Sequence, residues 1–296
     1  MVRHPAVAGQ FYKGSPESLK KQVQEFIVHG VVKTKALGIV SPHAGLIYSG
    51  AVAGAVYSRI ELPDTCVLIG PNHTGLGAPV SLMARGQWET PLGLVEIDES
   101  LASLILSKSP RIHEDSLAHL REHSLEVQLP FIQYFKHEFK IVPIQMLDTS
   151  LETCKEVGRA VAEAIRERRD ESGVRSQESE QRKQRHTKVN SELRTPNNEQ
   201  PLIIASSDMS HYERAAVAKE KDLKAVQQIL DLDPEGLYRV VKEYGITMCG
   251  YGPATAMLIA CKILGASNAE LIKYTNSGDV SGDYEQVVGY AGIVVS

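Results

Sequence analysis

Apolar positions along the chain fall into blocks that change period. Short β-branched runs at 36–40, 65–69, 139–146, 202–205, 270–274 and 286–295 predict strands, the first of them short and buried. Between them, apolar residues three and four apart predict helices at 16–28, 49–60, 99–107, 123–135, 151–168, 213–230, 234–244 and 253–264. The first carries Leu19, Val23, Phe26 and Ile27 on one side, and the second is rich in small residues suited to close packing on a sheet. The helix over 123–135 is expected to be interrupted at Pro130. The proline inside 139–146 predicts an edge strand or a bulge, because it cannot donate to a ladder. Broken β signals fill 79–97. Strands alternating with helices predict an α/β fold, a layered α/β/α single domain with a mixed sheet, over 1–296.

One stretch breaks the pattern. Residues 167–200 are dense in charge and nearly devoid of large apolar side chains, so they cannot bury enough surface to offset their ordering entropy. A disordered charged insertion over 169–199 is expected, between a helix and a strand. A basic nucleic-acid arm is the alternative, but acidic residues interleave throughout.

Composition narrows the class. The chain has 296 residues, 43% hydrophobic and 23% charged, as in ordinary globular proteins, and a net charge of -4 offers no global field for nucleic acid. Four scattered cysteines without a C-x-x-C pair suit neither a disulfide framework nor a zinc knuckle, and point to a reducing, cytoplasmic setting. The N-terminal MVRHPAVAGQFY does not read as a signal peptide, and no run of about 20 apolar residues predicts a membrane span.

The chemistry concentrates at strand ends. GIVSPHAG, VLIGPNHTG and IIASSDMSH each begin as an apolar run and end in turn-forming residues with a histidine: His43, His73 and His211. Ligands of α/β sheets gather beyond the carboxyl ends of strands, so the three imidazoles are expected to converge as metal ligands or acid/base groups. Asp208, three residues before His211, is placed to orient it if the segment forms a helical turn, although a capping role fits equally. Glu122, His123 and Glu126 read as pocket-lining groups or as an ordinary helix start. Cys249, in the glycine-rich MCGYGP, fits a metal-binding or nucleophilic thiolate, whereas Cys66 and Cys261 sit in apolar runs and read as packing.

Taken in order, PHAG-x-x-YSG, GPNH, EHSLEVQLP, SSDMSH and MCGYGP resemble the Memo family over nearly the whole chain. That resemblance implies the fold of the LigB-type class III extradiol dioxygenases, which open catechol-type rings with non-haem iron and O₂. It further implies that His43, His73 and Cys249 hold one redox-active metal ion, iron or copper. His211 would then be an acid/base group, with Asp208 and His123 as other catalytic positions of the pocket. A thiolate stands where such oxygenases usually have a carboxylate, so the resemblance does not carry ring cleavage with it. The expected function is a metal-binding, oxidoreductase-like protein acting on an unidentified small molecule or peptide. Two alternatives are a non-catalytic binding module that uses the same pocket, and a cysteine hydrolase built on Cys249 and His211.

Overall fold

The computed structural model describes residues 1–183 and 200–296, and side chains outside 171–199. The charged segment predicted over 169–199 lies outside the described residues from 184 onward.

The chain opens with β1 (Val2–Arg3), α1 (Pro16–Phe26), β2 (Gly38–Ser41), α2 (Leu46–Arg59) and β3 (Thr65–Pro71). The broken β region resolves into β4 (Val80–Leu82), β5 (Gln87–Thr90) and β6 (Gly93–Ile97). It is followed by α3 (Glu99–Lys108), β7 (His113–Glu114), α4 (Leu129–Phe135) and β8 (Lys140–Met146). Then come α5 (Leu151–Lys183), β9 (Leu202–Ser206), β10 (His211–Glu213), α6 (Ala215–Leu230) and α7 (Pro234–Glu243). The chain closes with α8 (Tyr251–Ile263), β11 (Ala269–Asn276), α9 (Gly278–Ser281) and β12 (Val287–Val295).

The strands form one mixed sheet in the order β1-β5-β6-β8-β3-β9-β2-β12-β10, with β11 on β12, and β4 joining β7 and β8. At its centre β8, β3, β9 and β2 run parallel and are buried almost throughout, which explains their unbroken apolar runs. Strand alternation separates the helices into two layers. A side chain at Gly38 would meet Met257 and Cys261 of α8, whereas one at Gly292, on the opposite face, would meet Val52 and Val56 of α2. The result is a mixed α/β domain with helices packed around a large sheet.

Two local expectations need correction. The strand at 139–146 is interior, not an edge: β8 pairs with β3 along its whole length. Its other side changes partner, from β6 at Lys140 and Ile141 to β4 at Ile144, Gln145 and Met146. Pro143 falls in the gap between those two partners, where a missing N–H is tolerated. The helix expected from 123 begins only at Leu129, after a 3₁₀ turn at Glu126–Gln128, and Pro130 sits in its first turn, where proline belongs.

Candidate functional site

The adjacency of β3, β9 and β2 gathers three loops at one end of the sheet. β2 leads to His43, β3 to His73 and β9 to Asp208. The loop before α4 adds His123, and the turn into α8 adds Cys249. His43, His73 and His123 form a trio whose ligand atoms all lie within 4.8 Å of one another. Their ring centroids are 5.3 Å apart for His43 and His73, 5.5 Å for His43 and His123, and 4.9 Å for His73 and His123. His43 is buried, while the side chain of His73 is 36% exposed, so the cluster opens to solvent on the His73 side.

His43 and His73 are each hydrogen-bonded through Nδ1, and His123 turns its Nδ1 toward the same carboxylate as His73. His43 Nδ1 lies 2.9 Å from Ser206 Oγ. His73 Nδ1 lies 3.0 Å from Glu122 Oε1, and His123 Nδ1 lies 3.3 Å from the same oxygen. Glu122 is fully buried and also accepts the backbone N–H groups of His73, His123 and Ser124 at 2.6, 2.9 and 2.9 Å. Burial alone would raise its pKa. The His73 hydrogen bond and charge, with the Ser124 N–H, outweigh that and bring it down to about 2, so it is a carboxylate. Burial first, then the neighbouring imidazoles, lowers His43; burial also lowers His123. Neutral imidazoles are the form that binds a metal ion.

Cys249 Sγ lies 3.3 Å from His43 Nε2 and accepts the Asp208 backbone N–H at 3.3 Å. Burial, followed by the charge of Asp208, pushes this thiol up. The turn that carries it is clamped to the residue just after β9, since Gly250 N–H donates to Ser207 Oγ at 2.9 Å. A Cβ at Gly250 would fall against the Ser206 carbonyl oxygen and the Ser207 side chain. Gly250→Ala is therefore expected to cost about 1–3 kcal/mol through overpacking and to shift Cys249 away from His43. Thermal denaturation checks the cost; an unchanged Tm would show that the turn has room.

The other expected residues are distributed differently. Asp208 does not share a helical turn with His211: residues 207–210 are irregular, and His211 begins β10. The Asp208 carboxylate instead caps the backbone N–H groups of His43 and Ala44 at 2.8 and 3.3 Å, which fixes the Pro42–His43 turn. His211 is held by Thr247: its backbone N–H donates to Oγ1 at 2.7 Å, and its Nδ1 meets the Thr247 carbonyl at 2.9 Å. A carbonyl only accepts, so Nδ1 carries the proton and Nε2 is the basic nitrogen. Glu126 parts from His123. It turns into the core, where it pairs with Arg3 and accepts from Tyr12 Oη and the Ala6 and Val7 N–H groups. Arg3 in turn donates to the carbonyls of His119 and Glu122 at 2.9 and 2.5 Å. The N-terminal segment so anchored sets Phe11 against His123, with ring centroids 4.8 Å apart.

Sequence reasoning underrated Glu122, whose only signal was its place beside His123. It missed Ser206, Gln128 and Thr247, which are silent without the fold.

Comparison with known proteins adds an independent line. The family described as Memo-like protein matches residues 3–177 and 172–294. The chain is 45% identical over 296 residues to a MEMO1 family protein of Methanosarcina mazei, covering 99% of each. It is 42% identical over 303 residues to one from Methanothermobacter thermautotrophicus, covering 98% of this chain and 99% of that protein. It is 43% identical over 297 residues to one from Aquifex aeolicus, covering 99% of this chain and 98% of that protein.

Proposed function

This chain belongs to the Memo-like protein family, and from that premise we propose that it binds one redox-active metal ion, iron or copper, in the strand-end cluster. His43, His73 and His123 supply nitrogen and Cys249 supplies sulfur. The observation that carries the reading is the trio of imidazoles within 4.8 Å, of which His43 and His73 are held through Nδ1 so that their Nε2 is left to donate. The donor chemistry fits: imidazole suits iron and copper, and a thiolate favours the softer copper(I). His123 here joins the donors, a different role from the catalytic one its family position implies. The 3.3 Å between Cys249 Sγ and His43 Nε2 suits two donors at ~2.0–2.3 Å from one ion.

Such an ion would supply a one-electron couple for oxidation or O₂ reduction. The chain's own residues do the rest. Glu122 balances positive charge, Asp208 holds the His43 turn, and the exposed side of His73 admits a small-molecule or peptide ligand. His211, with Nε2 basic, takes or returns a proton. Cys249 shares its hydrogen bond with His43 and not with His211, which favours the metal reading over a cysteine hydrolase. Among the described residues no helix is long and apolar enough to cross a membrane. The four scattered cysteines support a reducing, cytoplasmic setting, and the net charge of -4 argues against nucleic acid as a partner.

Metal analysis of protein purified without added metal tests the proposal. Wild type should carry iron or copper near one equivalent, and His43→Ala, His73→Ala and Cys249→Ala should each lose most of it while staying folded. Metal retained in all three would overturn the site. His211→Ala is expected to keep its metal and to lower metal-dependent O₂ consumption by about 10²–10⁴-fold, as removal of a proton-transfer group does. Equal metal loss in His211→Ala would move that histidine among the ligands.

A further inference from the structure

His43 differs from its neighbours in one respect. The Nδ1 of His73 faces a carboxylate and that of His211 faces a carbonyl, groups that can only accept. The Nδ1 of His43 faces a serine hydroxyl, which can donate or accept, so this contact alone leaves open which ring nitrogen carries the proton. The surrounding hydrogen bonds close that choice.

Tyr57 Oη donates to Gln128 Oε1 at 3.0 Å. Gln128 Nε2 donates to the Pro42 carbonyl at 2.9 Å and to Ser206 Oγ at 2.8 Å. The carbonyl at Pro42 fixes the orientation of the amide, since only nitrogen can face it. Ser206 Oγ donates in turn to the Ser124 carbonyl at 2.6 Å. The serine has one proton, and it is committed there. Its two lone pairs then accept from Gln128 Nε2–H and from His43 Nδ1–H. Tyr57, Gln128 and Ser206 are all fully buried, so no water offers another arrangement. The opposite tautomer would turn two lone pairs toward each other, or draw the serine proton away from the Ser124 carbonyl.

We propose that Ser206 and Gln128 are positioning residues that hold the His43 proton on Nδ1 and present Nε2 unprotonated to the pocket. The bearing on metal binding rests on the function proposed above; the tautomer itself does not. The bland alternative is a buried polar bridge that merely ties β9 to the Pro42 turn. Such a bridge would stabilise the fold without governing the ring.

Long-range ¹H–¹⁵N spectra of metal-free protein labelled at histidine decide between them, with His43 assigned by its loss in His43→Gln. In wild type the proton should sit on Nδ1 alone. Ser206→Ala should give a mixture or the Nε2–H form, and Ser206→Thr, which keeps the hydroxyl, should restore Nδ1–H. Anaerobic titration with Fe(II), and separately with Cu(I), should show affinity about 10–100-fold weaker in Ser206→Ala, with the threonine variant close to wild type. A wild-type ring protonated on Nε2 overturns the proposal even if no variant folds. So does a Ser206→Ala protein that keeps a single Nδ1–H ring and full affinity. Should wild type bind neither metal, the metal reading falls, and the tautomer still decides this one.

Discussion

Glu126→Ala is expected to destabilise the protein by about 3–5 kcal/mol, the range for removing one partner of a buried ion pair. Arg3 and Glu126 are both fully buried, and the guanidinium lies 4.4 Å from the centroid of the Trp88 ring. Without Glu126 the arginine keeps its charge with only carbonyl partners, at His119 and Glu122. The Tyr12 hydroxyl and the Ala6 and Val7 N–H groups lose their acceptor as well. Because residues 3–12 are joined through this carboxylate to the loop that carries His123, the loss should also free Phe11 from His123. Urea denaturation gives the stability, and hydrogen exchange across residues 6–12 gives the local loosening. A loss under about 1 kcal/mol would mean that the N-terminal segment is held by something other than this pair. Replacing both partners by apolar residues should recover part of the loss, since the charge penalty goes with them.

Much of this architecture was legible in the sequence because buried parallel strands announce themselves. The runs that became β2, β3, β8 and β9 are continuous and β-branched, and their adjacency makes a histidine after β2 and one after β3 neighbours in space. Five ordered motifs carried the family. What escaped has a common cause: it depends on where side chains from distant segments end up. Pro143 reads as an edge signal until β6 and β4 are seen to share one side of β8. The spacing of Asp208 and His211 suggests a helical turn, but Asp208 is drawn off by the His43 and Ala44 N–H groups, and the intervening backbone follows. Glu122 and Glu126 look alike on paper, two acids near a helix start. One faces the imidazoles and the other faces Arg3, because the chain between them is a loop that enters a 3₁₀ turn only at Glu126, not a helix with one face. Ser206 and Gln128 carry no chemical signature at all, and their meaning lies in the direction of each hydrogen bond.

Glu122→Gln should have the largest effect on the candidate site. The carboxylate accepts from His73 Nδ1 and from three backbone N–H groups. An amide has one acceptor oxygen, and its NH₂ would point donors at donors. At least one buried N–H would be left without a partner, at about 1–3 kcal/mol each. His73 would lose its fixed orientation, so metal affinity should fall by about 10–100-fold. The substitution should also change the response to acid. Glu122 is held down at about 2, against an ordinary value of 4.5. A carboxyl held below its unfolded value stabilises the fold fully above that value and loses the contribution as pH falls through the folded one. Wild-type stability should therefore drop between about pH 4.5 and pH 2. Asp98, Asp115 and Asp148 are also lowered and add to the fall. The difference between wild type and Glu122→Gln isolates the share of Glu122: it should be constant above pH 5 and shrink steadily below. A difference that stays flat down to pH 2 would mean that this carboxyl titrates alike in the folded and unfolded chain, and that its bonds to His73 and Ser124 do not hold it in its charged form.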